Sequence, residues 1–164
     1  MPRFSIRARV CALLGTVAVV LLGVGASAQS PSGPTGTWKL NSAKSTFSPG
    51  PAPTSMSITY TPSGDTMTIA VDVIAADGTK GHWEMSGAYD GKEYPVTGNP
   101  DADTISFKRV DDRTTETTFR KGGKVMAVNT RTLSADGKVL TISSKGVNGK
   151  GQPRNDVAVY ERGM

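Results

Sequence analysis

Short segments of alternating apolar and polar residues fill most of this chain, and tight turns separate them. In residues 67–73 every second side chain is apolar, which places those side chains on one face of a β-strand. Asp-Gly or Gly-Gly pairs stand between such segments, at Asp77-Gly78, Asp90-Gly91, Gly122-Gly123 and Asp136-Gly137. These pairs are typical of β-hairpins, because the favoured hairpin turns need positive φ. The pattern therefore predicts a series of antiparallel hairpins.

The number of these segments indicates the architecture. Residues 36–164 hold about nine or ten of them, and no helical segment is long enough for a parallel crossover. A sheet of this size hides its edges by closing into a barrel or folding into a sandwich. We predict an all-β fold, a single up-and-down antiparallel β-barrel of about nine or ten strands. A helical lid is not expected, because Pro49, Pro51 and Pro53 interrupt the stretch after the first strand.

The first 28 residues have the features of an export signal. Arg3, Arg7 and Arg9 precede an apolar stretch at 10–24, and Ala26-Ser27-Ala28 has the small-x-small pattern of a cleavage site. The apolar stretch is shorter than the ~20 residues that a membrane-spanning helix needs. We predict a periplasmic or secreted protein with a signal peptide at 1–28, a flexible leader at 29–35 and the barrel domain at 36–164.

Cleavage of the signal is the first testable expectation. The small-x-small pattern ends at Ala28, so the exported protein should begin at Gln29. Amino-terminal sequencing of the exported protein measures this directly. An uncleaved product embedded in the membrane would contradict the expectation.

The composition of the expected mature chain excludes several classes of function. Cys11, the one cysteine, leaves with the signal, so neither a disulfide nor thiol chemistry is expected. The loss of three arginines lowers the formal net charge from +5 to +2, which argues against a nucleic-acid partner. His82 is the only histidine, and no nucleophile motif accompanies it. We expect no enzymatic activity, no cofactor, no metal, no transmembrane anchor in the mature chain, and a monomer.

One loop has part of the spacing of a calcium site. Asn99, Asp101 and Asp103 stand at alternate positions, but Thr104 and Val110 occupy the places where such a loop needs glycine and glutamate. We expect a solvated loop in which the Asn and Asp side chains form turns.

The two ends of the expected domain resemble those of a known superfamily. Gly36-Thr37-Trp38-Lys39-Leu40 resembles the Gly-x-Trp strand of the calycins, which include the lipocalins and fatty-acid-binding proteins, and avidins share it. Val159-Tyr160-Glu161-Arg162 resembles the last strand of the fatty-acid-binding proteins. The resemblance implies a lipocalin-like or fatty-acid-binding-protein-like barrel, a secreted bacterial-type member of unassigned ligand, in which Trp38 is a structural plug. In the fatty-acid-binding proteins, an arginine and a tyrosine of the last strand hold the fatty-acid carboxylate. The resemblance implies that Tyr160 matches this tyrosine and that Ala158 stands at the position of the arginine.

We expect the barrel to bind a small apolar or amphipathic ligand without chemistry. The alternative is a filled barrel that acts as an interaction or structural protein of the cell envelope. Candidate cavity residues, for which ordinary core packing is the other role, are Tyr60, Trp83, Met85, Phe107, Phe119, Met126, Arg131 and Tyr160.

The orientation of Arg131 decides the type of ligand. Met126 and Val128 favour the even-numbered face of this strand as the inner one, with Thr130 and Thr132, unless a bulge exchanges the two faces. An outward Arg131 leaves only a phenol in the cavity and favours a neutral ligand. An inward Arg131 is a buried cation, and a ligand carboxylate would be a suitable partner for it.

Overall fold

The computed structural model describes residues 33–163, which form a closed antiparallel β-barrel. Each strand pairs with the next one in the chain, and β1 pairs with β10 to close the ring. The strands are β1 (Gly36–Leu40), β2 (Ser55–Ser63), β3 (Thr66–Ile74), β4 (Lys80–Ala88), β5 (Glu93–Thr97), β6 (Thr104–Arg109), β7 (Thr114–Lys121), β8 (Lys124–Leu133), β9 (Val139–Val147) and β10 (Pro153–Arg162). The predicted all-β, up-and-down barrel is confirmed. The expected signal peptide and residues 29–32 of the leader lie outside the described residues.

The segment between β1 and β2 contains a single helical turn. The 3-10 helix η1 (Ser42–Lys44) begins after Asn41, whose side chain accepts a hydrogen bond of 3.2 Å from the Lys44 amide. Thr46 then pairs with Val157 of β10, so this segment follows the barrel wall. Over residues 33–163, no helical lid covers the barrel and no helix is long and apolar enough to cross a membrane.

One part of the barrel interior is filled by side chains. Five large apolar side chains are completely buried and do not line the cavity described below, namely Trp38, Met67, Ile105, Phe107 and Leu140. Close packing of large side chains leaves no room for a ligand there. The space that remains open is therefore confined to the other part of the interior.

A β-bulge interrupts the pairing of β7 with β8. Phe119 pairs with Ala127, whereas the next residue, Arg120, pairs with Val125. Met126 is thus an extra residue on β8. Such an insertion exchanges the inner and outer faces of a strand, because side chains alternate between the two faces.

The bulge reverses the orientation expected for β8. Beyond Met126 the odd-numbered residues face inward, and Ala127 and Arg131 are buried. The expectation that Val128, Thr130 and Thr132 face the interior is wrong, and its physical reason is the extra residue. Arg131 therefore lies inside the barrel.

A glycine on β9 permits close contact with the bulge. Gly146 pairs with Ala127, and a Cβ atom at Gly146 would lie 2.6 Å from the Ala127 Cα and overlap the Met126 carbonyl oxygen. Only glycine fits this approach of two backbones without a shift. Gly146 thus helps to hold the register that turns Arg131 inward.

Candidate ligand-binding cavity

A cavity of about 180 Å³ lies inside the barrel between two chemically different walls. The ring order places β3 and β4 across from β8 and β9. On β2, β3 and β4 the lining is apolar apart from the Tyr60 hydroxyl, with Met56, Ile58, Ile69, Val71, Trp83 and Met85. The polar lining groups of β8, β9 and β10 are Asn129, Arg131, Ser144, Arg154 and Asp156, besides the Tyr160 hydroxyl. The cavity therefore suits a molecule with one apolar and one polar side.

Arg131 is the charged residue that β8 contributes to the cavity lining. It is 4% exposed, and its guanidinium donates hydrogen bonds of 3.0 Å to Thr115 Oγ1 and 3.2 Å to Thr117 Oγ1. The guanidinium carbon also lies 5.1 Å from the centroid of the Tyr60 ring, a cation–π contact. Among residues 33–163, no carboxylate pairs with Arg131, and its Nε has no hydrogen-bond partner. A buried charge of this kind is costly without an anion.

Two tyrosine hydroxyls lie beside this arginine. The Tyr60 hydroxyl is buried and has no hydrogen-bond partner in the part of the chain that the structure describes. Burial raises the pKa of Tyr60, and the nearby Arg131 charge opposes this only in part. The Tyr160 hydroxyl donates a 3.2 Å hydrogen bond to the Met56 sulfur, a weak acceptor, and burial raises the pKa of Tyr160 also. Both phenols are therefore protonated at neutral pH and can donate to a ligand oxygen.

The acidic side chain that β10 contributes to the cavity is already neutralised. Asp156 is 6% exposed, its Oδ1 accepts a 2.9 Å hydrogen bond from the Ser48 amide, and its Oδ2 accepts one from Arg154 Nε. Both carboxylate oxygens are thus occupied. Asp156 does not serve as the counter-ion of Arg131.

The loop between β5 and β6 covers part of the mouth. The Asp101 amide donates a 2.8 Å hydrogen bond to Asn99 Oδ1, so the expected side-chain turn is present. Asp103 Oδ2 accepts a 2.8 Å hydrogen bond from the Gly122 amide, which fastens the loop to the turn between β7 and β8. Ala102 is 4% exposed and lines the cavity. The loop is solvated at Pro100 and Asp103, whereas Ala102 is buried because the loop folds over the barrel end.

Most of the candidate residues come together in this cavity. Seven of the eight line it, namely Tyr60, Trp83, Met85, Phe119, Met126, Arg131 and Tyr160. The expectation that Phe107 lines the cavity is corrected, because Phe107 is fully buried in the filled part of the barrel. Its ring centroid lies 5.6 Å from that of Tyr89. Trp38 is also fully buried outside the cavity, and the Arg162 guanidinium carbon lies 4.8 Å from its ring centroid. Such a position suits a structural side chain.

Several polar groups of the cavity wall are not among the residues predicted from the sequence. Ser144 alternates with Ile142 on β9, and this alternation was the signal that it faces inward. Asn129 shares the inner face of β8 with Arg131, but that face depends on the bulge. No pattern in the sequence indicated that Asp156 would be buried.

The outer surface holds the only histidine. The Nδ1 of His82 lies 2.7 Å from Asp72 Oδ1, and this hydrogen bond raises the pKa of His82. His82 does not line the cavity, and its side chain is 54% exposed. Within residues 33–163, no group of three His, Cys, Asp or Glu side chains is arranged to hold a metal ion.

The ten-strand antiparallel barrel is compatible with a calycin-like fold. No protein-family model matches this chain, and a search of curated proteins found no similar sequence. Function is therefore inferred from the cavity.

Proposed function

We propose that this protein is an exported, non-enzymatic binding protein of calycin type that holds a small amphipathic molecule with an anionic group. The observation that carries the proposal is Arg131, a buried cation in a cavity with an apolar wall, which no carboxylate of residues 33–163 neutralises. Export rests on the signal features of residues 1–28.

Two unpaired donors favour a carboxylate as the anionic group. Arg131 Nε and the Tyr60 hydroxyl are both buried without a hydrogen-bond partner in the described chain. A carboxylate has two oxygens that accept hydrogen bonds, and a bond between two charged groups is about twice as strong as a neutral one. Arg131 would then supply the charge that Ala158 lacks on β10, with Tyr160 beside it.

The volume of the cavity limits the size of the ligand. Drug-sized ligands occupy cavities of roughly 300–1,000 Å³, whereas an engineered apolar cavity of about 150 Å³ binds benzene. The cavity measures about 180 Å³. The ligand we propose is therefore a ring-sized or short-chain carboxylic acid rather than a long-chain fatty acid.

The filled-barrel alternative needs an exposed apolar patch for a partner. Over residues 33–163 the large exposed hydrophobic side chains are Val110, Val125 and Val157. They lie after β6, at the start of β8 and in the middle of β10. Three separate valines give no support for a protein-binding patch, so ligand binding is the function we propose.

A comparison of an acid with its alcohol tests this proposal. Calorimetric titration of the mature protein at neutral pH should give a Kd for benzoate at least roughly tenfold lower than for benzyl alcohol, because a hydrogen bond to a charged group contributes about 1.5–3 kcal/mol. Equal or tighter binding of the alcohol would refute the anionic group. If neither compound binds, the filled-barrel alternative takes the place of this proposal.

A further inference from the structure

Two polar side chains of the cavity wall make no hydrogen bond that would stabilise the fold of residues 33–163. Asn129 of β8 and Ser144 of β9 are paired in register, and both line the cavity. Ser144 is 4% exposed, yet neither side chain makes a hydrogen bond to any part of residues 33–163. Buried polar side chains nearly always have a hydrogen-bond partner. The buried Ser144 and the half-buried Asn129 beside it therefore mark a second polar contact point inside the barrel.

The register fixes the position of this pair relative to the arginine. Arg131 pairs with Ile142, and Asn129 pairs with Ser144 two residues nearer to the mouth. A strand rises 3.2–3.4 Å per residue, so the Cα atoms of Arg131 and Asn129 lie roughly 7 Å apart along β8. The Arg131 guanidinium extends toward Asn129, because it donates to Thr117, the residue of β7 that pairs with Asn129. Val71, Trp83 and Met85 supply apolar surface on the other wall.

We propose that the ligand is a small carboxylic acid with a hydroxyl or carbonyl group at its opposite end, which binds Asn129 and Ser144. This inference rests on the proposed function, since it takes the carboxylate to lie at Arg131. The apolar wall would cover one face of a flat ring that carries these two polar groups. The class that meets these requirements is the aromatic acids with a polar substituent across the ring from the carboxylate, such as 4-hydroxybenzoate.

A set of related acids tests the second contact point. In calorimetric titrations of the mature protein, 4-hydroxybenzoate should bind roughly two- to tenfold more tightly than benzoate, the worth of one neutral hydrogen bond. Ser144→Ala and Asn129→Leu should each reduce this preference, measured in each variant as the ratio of the two affinities. Ser143→Ala is the matched control, because Ser143 lies on the outer face of the same strand and should change neither affinity.

The outcomes separate this inference from the proposed function. If benzoate binds and 4-hydroxybenzoate binds no more tightly, the second contact point is refuted and the arginine site stands. The same conclusion follows if the preference is unchanged in Ser144→Ala, a small change that the fold should tolerate even where Asn129→Leu does not fold. If neither acid binds, both proposals are refuted.

Discussion

Replacement of Trp38 by alanine should lower the free energy of unfolding by about 3–5 kcal/mol. Trp38 is completely buried, and the Arg162 guanidinium stacks on its ring. Truncation removes this apolar contact and leaves a void that a closed barrel does not easily fill. A domain has a total stability of roughly 5–15 kcal/mol, so the loss is a large share of it. Denaturation with urea, followed by circular dichroism, measures the change.

Trp38→Phe is the matched control for this prediction. Phenylalanine keeps much of the buried ring surface, and the Trp38 Nε1 has no hydrogen-bond partner within residues 33–163 that would be lost. The phenylalanine variant should therefore lose clearly less stability than the alanine variant. An unchanged unfolding midpoint for Trp38→Ala would show that Trp38 is not the structural plug.

Arg131→Met should weaken ligand binding strongly and change the stability of the ligand-free protein little. The affinity for benzoate should fall roughly 10- to 100-fold, because the charged hydrogen bond contributes about 1.5–3 kcal/mol. The stability of the ligand-free protein should change little, because removal of a buried charge that lacks an anion offsets the loss of the hydrogen bonds to Thr115 and Thr117. Calorimetry with benzoate and urea denaturation of the ligand-free protein measure the two effects.

Arg131→Lys separates the role of charge from that of geometry. Lysine keeps the charge but lacks the Nε donor and the planar guanidinium, so benzoate should bind with an intermediate affinity. A large loss of stability in Arg131→Met together with an unchanged affinity for benzoate would contradict the account. Arg131 would then hold the barrel together through Thr115 and Thr117 instead of binding a ligand.

The sequence predicted the barrel because local chemistry determines hairpins. Alternation over residues such as 67–73 sets the inner face of a strand, and pairs such as Asp90-Gly91 set the turns. It did not predict the orientation of Arg131, because the bulge at Met126 depends on how β7 and β8 pair. A one-residue shift reverses every side chain beyond it.

The sequence pattern also could not predict how far along the barrel axis each inward-facing side chain lies. Alternation indicates correctly that Phe107 and Phe119 face inward, yet only Phe119 lines the cavity. The position of each along the barrel axis depends on strand stagger, which is a property of the closed ring. Ala102 was missed for a related reason, because a loop that folds over the barrel end leaves no periodic signal.

A crystal structure of the mature protein with benzoate would show whether Arg131 holds a carboxylate inside the barrel. We expect one benzoate inside the barrel, with a carboxylate oxygen within hydrogen-bond distance of Arg131 Nε and the Tyr60 hydroxyl, and with its ring against Trp83 and Met85. An empty cavity at saturating benzoate would contradict the account. A benzoate bound only on the outer surface would contradict it equally.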